Sequence, residues 1–285
     1  MMRTKVGIPP TSYPAMRPHR DAGMKTWGAM LFLFSLYAPD AYATISSINL
    51  GVDDTFAVLA GSTITNTGAS IIDGDLGLSA GTAITGFPPG TVNGTIHNAD
   101  GVALQAQSDW TSAFSAATGA ACPGGNDLSG QDLGGLTLTP GVYCLSSSAQ
   151  LTGTLTLNSL GDPNAFFLFQ IGGTLTTSSA SSVVFVNGGS GDNVFWAVGS
   201  SATLGTTTAF QGNILALASI TLNTGASIGC GRALASTGAV TLDDNLVSID
   251  SLGCEVSSDL PEPGTAGLFG AGLLLGTVLL IRHRK

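Results

Sequence analysis

Residues 192–247 alternate apolar runs of four to seven residues with Gly, Thr, Asn and Ser. The runs at 194–198, 214–220 and, more weakly, 232–240 are too short for an ordinary helix and rich in β-formers, so they read as strands. The same cadence occurs at 56–64, 151–157, 166–175 and 183–186. A short strand unit repeated with glycine-containing corners is the sequence form of a β-solenoid, in which each unit buries its apolar face only by stacking on its neighbours.

Several blocks carry a family resemblance. NILALASITLNTGASI at 213–228, followed by GRALASTGAVTLDDNLV at 231–247, resembles the closing coils of the ice-binding-like domain. GDLGLSAGTAITGF at 74–87, GGLTLTPGVYC at 134–144 and FLFQIGGTL at 167–175 are similar to other blocks of that family in the same order. The resemblance covers about 48–249. It implies a mainly β fold, a right-handed parallel β-solenoid (a discontinuous β-helix) with one long α-helix packed alongside, occupying 44–255. It also implies that the protein holds ice by surface adsorption, as a recrystallisation inhibitor or an ice adhesin, with no bond made or broken. An exported structural or adhesive matrix protein on the same scaffold, without ice affinity, is the alternative.

The residues locate the helix independently. Val102, Ala106, Trp110, Ala113, Phe114 and Ala117 recur at helical spacing within 97–117, with Asn98 or Asp100 placed to cap the start and Gly119 the end. A sheet covered on both faces needs continuous apolar runs. Phe166-Phe167-Leu168-Phe169 and the run at 194–198 have that form, so those strands are expected between core and helix.

Charge narrows the function. The 285-residue chain has a net charge of −9, and between Thr44 and Leu260 Arg232 is the single Lys or Arg against fifteen acidic residues. Nucleic-acid binding needs clustered Lys and Arg and is therefore excluded as a working hypothesis. A solenoid enzyme acting on acidic polysaccharide is disfavoured on the same ground.

Both ends read as addresses. Lys25, the apolar stretch 30–36 and Ala41-Tyr42-Ala43 form a secretory signal peptide, so 1–43 are expected to be removed, and translation from Met24 would make 1–23 an artefact. At the other end a linker over 256–264 contains Pro261-Glu262-Pro263, followed by an apolar stretch and a basic tail over 265–285. About eighteen apolar residues reach roughly 27 Å as a helix, enough to cross a bilayer core. The terminal cations fit an outside solenoid. This arrangement resembles the PEP-CTERM sorting signal, which implies an exosortase-type processing enzyme and a membrane as partners, and an envelope or extracellular location. Gly272 and Gly276 form a GxxxG pair within the apolar stretch.

Candidate chemistry is sparse. Gly77-Leu78-Ser79-Ala80-Gly81 matches G-x-S-x-G, but the elbow needs a strand-to-helix turn and a later Asp and His, and His97 is the single histidine of the exported part. Gly188–Asp192 is one residue off the calcium nonapeptide and lacks tandem copies, and Asp53-Asp54, Asp73/Asp75 and Asp243-Asp244 are more simply solvated corners. No catalytic residue, metal ligand or cofactor is assigned. Cys122, Cys144, Cys230 and Cys254 form no metal-binding spacing and suit an oxidising compartment, with three possible connectivities. Sequence proximity favours Cys122–Cys144 and Cys230–Cys254.

Small residues follow an apolar pair in block after block. Ser62, Thr63, Ser147, Gly173, Thr174, Ser200, Ser201, Ser219, Ser236 and Thr237 are therefore expected on one flat, uncharged side, stacked coil on coil as the ice-contacting face. Stacked strands would set such residues ~4.8 Å apart along the stack and ~6.6–7 Å apart across it.

Overall fold

The computed structural model describes residues 45–249. Its strands fall into seven coils, each contributing one strand to each of three parallel sheets, A, B and C. Coil 1 is Phe56–Ala60, Thr63–Thr67 and Ile71–Asp73, and coil 2 is Asp75–Leu78, Ala83–Thr85 and Thr91–Val92. After the helix come coil 3 (Gly141–Leu145, Ala149–Leu151, Thr154–Asn158) and coil 4 (Phe167–Ile171, Leu175–Thr177, Ser182–Val186). Coil 5 is Val194–Val198, Ala202–Leu204 and Ala209–Gln211; coil 6 is Asn213–Ala216, Ile220–Leu222 and Ser227–Gly229. Coil 7 closes the series with Ala233–Ala235, Val240–Asp243 and Leu246–Ser248. Ile96–Asn98 and Thr137–Leu138 extend sheets A and C at opposite ends.

The order in space is 2-1-7-6-5-4-3, so the first and last coils are neighbours inside the stack. That order is what the helix α1, Gly101–Gly119, makes possible. Its 19 residues span about 28 Å. The eight strands of sheet A, with seven spacings of ~4.8 Å, span about 34 Å. α1 thus carries the chain along the outside of the stack from the coil 2 end towards the coil 3 end, from which the remaining coils climb back to meet coil 1.

Asp100 caps the helix, its Oδ1 accepting from the Val102 and Ala103 amides at 3.0 and 2.9 Å. Residues 97–98, placed in the helical segment by spacing, are in the strand Ile96–Asn98 instead, and Val102 is exposed. Asn98 gives its side-chain amide to the Thr82 carbonyl, leaving Asp100 as the cap. Ala106, Trp110, Ala113 and Ala117 pack on the outer face of sheet A against Leu59, Leu168, Phe195, Leu215 and Leu234. The inner face of the same sheet carries stacked aromatics, with Phe169 and Trp196 ring centroids 4.0 Å apart and Tyr143 5.5 Å from Phe169. Burial on both faces is why Phe167–Ile171 and Val194–Val198 are almost wholly apolar.

Several blocks that read as single strands are two strands with a corner between them. Residues 56–64 split after Ala60, 151–157 after Leu151, and 214–220 after Ala216. Cys122 and Cys144 form a disulfide, tying the exit of α1 to the first strand of coil 3. Cys230 is also disulfide-bonded, and Cys254 lies outside the described residues. Outside them too lie the signal peptide, Pro261-Glu262-Pro263 and the apolar C-terminal stretch; among the described residues no helix is long and apolar enough to cross a membrane.

Candidate functional site

The three sheets present chemically different outer faces. Sheet A is covered by α1. Sheet C is mixed: its outward residues include Ile71, Leu246 and Val186, each about two-fifths exposed, beside Thr154, Ser182 and Ser227. Sheet B alternates buried and open positions in every strand from coil 4 to coil 7, and in coil 1.

The open position at the centre of those strands is Thr. Thr176 pairs with Thr203, Thr203 with Thr221, and Thr221 with Thr241. Across the junction of the last and first coils Thr241 pairs with Thr65, and Thr65 with Thr85. Six consecutive strands therefore carry Thr in one unbroken column, and Gln150 occupies the seventh place. The column repeats every ~4.8 Å, the strand spacing of a parallel sheet. Each Thr offers one methyl and one hydroxyl, and β-branching leaves few χ1 rotamers to freeze. None of the six hydroxyls is hydrogen-bonded within the protein among the described residues, so all face solvent with free capacity.

The residues singled out by sequence lie beside this column. Thr63 is in the coil 1 strand of sheet B; the other nine occupy the corner where sheet A turns into sheet B. They are stacked coil on coil, through bonds such as Gly173 N to Ser147 O at 3.0 Å and Ala218 N to Ser200 O at 3.0 Å. Several of their hydroxyls are used within the stack. Ser148 Oγ accepts from Thr174 N and Oγ1, Ser201 Oγ from Ser219 N, and Ser219 Oγ from Ala239 N. Thr237 Oγ1 donates to the Leu217 carbonyl at 2.8 Å.

Close backbone approach explains the small side chains. A Cβ on Gly199 would sit 2.7 Å from the Gly172 carbonyl oxygen, and one on Gly61 would sit 2.0 Å from that of Ser236. Corner smallness is a packing requirement of stacked turns. The ladder is signalled by a different pattern, apolar–Thr–apolar at 202–204, 220–222 and 240–242, with Leu175-Thr176-Thr177 as a variant whose third residue is a buried Thr. It is the period-two alternation of a half-exposed strand, hidden because each triplet is so short.

The remaining motifs have structural roles. Ser79 follows a sheet A strand and is itself followed by the strand Ala83–Thr85, so Gly77–Gly81 forms no strand-to-helix elbow. His97 Nδ1 lies 2.8 Å from Asp100 Oδ2 at the helix cap. Asp75 accepts from Thr95 N and Asp244 from Ala69 N, each at a turn.

The fold and the ladder can be set against known proteins. The ice-binding-like family model matches residues 58–248, most of the described chain. The chain belongs to the ice-binding-like family. An ice-binding protein of Nostoc sp. (strain HG1) is 55% identical over 257 residues, covering 88% of this chain and 92% of the relative. The crystal structure of an ice-binding protein from an Antarctic biological consortium superimposes with a TM-score of 0.69 at 48% identity, covering 72% of this chain and 92% of that one. The ice-binding protein of the Antarctic ascomycete Antarctomyces psychrotrophicus gives a TM-score of 0.68 at 43% identity, over 71% of this chain and 98% of that one. Both solved structures thus share the fold of this chain.

Proposed function

We propose that the protein binds ice by adsorption through the outer face of sheet B, with Thr65, Thr85, Thr176, Thr203, Thr221 and Thr241 as its central contacts. The observation that carries this reading is the in-register column of six Thr with unengaged hydroxyls. Methyls at fixed spacing hold water in cages and hydroxyls anchor it, so the face presents an ordered first layer that a growing crystal incorporates. Rigidity matters as much as chemistry, because ordering a mobile surface at the moment of contact would cost the entropy that a preorganised one has already lost. The corner column of Ser147, Gly173, Ser200, Ser219 and Thr237, with Thr63, Thr174, Ser201 and Ser236, forms the rim of that face. Adsorption requires no catalytic group and no cofactor.

The chain acts outside the cell in this reading. Residues 1–43 direct export, and Pro261-Glu262-Pro263 with the following apolar stretch hand the protein to an exosortase-type enzyme at the membrane, placing the solenoid at the envelope or in the medium. The relatives named as ice-binding support the activity, and the ends of the sequence support the address.

The test is thermal hysteresis and recrystallisation inhibition by the mature chain, beside Thr203→Tyr. Wild type should be active and the variant should lose most of its activity at unchanged melting temperature. Full activity in Thr203→Tyr would move the site off sheet B, and an inactive wild type would remove the ice reading.

A further inference from the structure

Five of the six contacts between neighbouring coils join coils that follow one another in the chain, but the contact between coils 7 and 1 is different. Thr241 and Thr65 are adjacent in the ladder yet come from opposite ends of the domain. Elsewhere the connecting turn limits slippage. At this seam register rests on non-covalent contacts alone. The alternation of buried and open side chains forbids a one-residue slip, which would turn every side chain to the other face. It does not forbid a slip of two, which preserves the alternation and would shift the two parts of the ladder by ~7 Å.

Side-chain bonds across the seam discriminate: Asp244 Oδ1 accepts from Ala69 N and Ser70 Oγ accepts from Asn245 N, both at 2.9 Å, and one buried charge adds to them. Arg232, the single Lys or Arg of the described residues, leads into the sheet A strand of coil 7 and is 5% exposed. Its Nη2 donates to Asp54 O at 2.7 Å and Asp54 Oδ1 at 2.8 Å, at the entrance to coil 1. Its Nη1 donates to Asn213 Oδ1 at 2.7 Å, at the start of coil 6. Asn213 in turn gives its Nδ2 to the carbonyls of Asp192 and Val194, both at 3.0 Å, at the start of coil 5. A planar guanidinium has fixed donor directions, so this fork fits one relative placement of the coils. Slippage would leave a buried cation unpaired, which is costly.

We propose that Arg232 is a positioning residue for ice binding: it locks coil 7 on coil 1 and so keeps the Thr of coils 4–7 in line with Thr65 and Thr85. The inference rests on the assignment of ice binding to sheet B. Without the lock the face becomes two platforms, of four Thr and two, that no longer match one crystal plane. Simultaneous engagement is what gives a multivalent surface its avidity.

Arg232→Met keeps the bulk and removes the fork. Asp54→Ala, at a carboxylate 73% exposed, removes one arm and protects the test against a folding failure. Leu155→Ala, in the core of coil 3, serves as a control that destabilises far from the seam. Melting temperature, ice activity and backbone deuterium exchange are measured on all three. Arg232→Met should need at least about tenfold more protein for equal recrystallisation inhibition. Exchange should rise at Ser62, Asp244 and Gly61 amides, which bridge the seam. Asp54→Ala should shift both readouts in the same direction by less, and Leu155→Ala should lose melting temperature and keep its activity. The proposal is overturned if Arg232→Met retains activity, or if activity follows melting temperature alike in Arg232→Met and Leu155→Ala. If wild type is inactive the ice reading falls. The exchange pattern then decides the lock by itself: faster exchange confined to the seam upholds it, and uniform or unchanged exchange refutes it.

Discussion

Asp53 is fully buried in the 3₁₀ turn before coil 1, and neither carboxyl oxygen has a hydrogen-bond partner. Burial, with a smaller contribution from the nearby charge of Asp109 and against the opposing pull of Arg232, raises its pKa from 3.8 to about 8. The folded state therefore holds a proton that the unfolded state releases between these values. Stability from this group is complete below pH 3.8 and falls as pH rises towards 8. Asp53→Asn, which cannot ionise, should gain on wild type steadily from pH 4 to pH 8. Paired thermal melts across that range read the difference, in which the other titrating groups cancel. A difference independent of pH would show that Asp53 ionises freely in the fold.

At the level of elements, the helix was more legible than the strands. Trp110 and the alanines around it announce a one-sided helix over four turns, long enough for spacing to be seen. Strands of three residues give no such run. The sequence 214–220 reads as one apolar block because Ile214–Ala216 and Ile220 lie on either side of a corner whose Leu217 is also apolar. In such a block the corner's small residues stand out as a series, while Thr176, Thr203 and Thr221 each sit inside a triplet too short to show its alternation. The in-register pairing of Thr241 with Thr65 had no local signal, since it depends on the return path along α1. That path makes two substitutions informative. Trp110→Ala removes a buried ring and its Nε1 bond to the Leu234 carbonyl at 3.1 Å, and should cost about 3–5 kcal/mol in denaturant melts. Asp100→Ala removes the cap and the contact with His97 Nδ1, both at the surface, and should cost only a fraction of that. Equal costs would mean that α1 is held by its ends rather than by its packing on sheet A.

For the whole molecule, ice binding is a contact between two rigid bodies, and this makes the effect of a bump depend on where it stands. A Tyr at Thr221, in the middle of the column, would hold the face off the crystal on both sides. A Tyr at Thr85, on the last strand of sheet B, would leave Thr176, Thr203, Thr221 and Thr241 able to seat with little tilt. Both side chains are directed to solvent, so neither change should alter folding stability by more than about 0.5 kcal/mol. Ice activity should accordingly fall steeply for Thr221→Tyr and only modestly for Thr85→Tyr. Thr65→Tyr, one strand further in, should lie between them. Thermal hysteresis of the three variants at matched concentration, with melting temperatures to confirm the fold, measures this gradient. Equal losses at all three positions would show that every rung is needed at once and the crystal tolerates no shortened face. A reversed order, with Thr85→Tyr the most damaging, would place the first contact with ice at the coil 2 end of the stack.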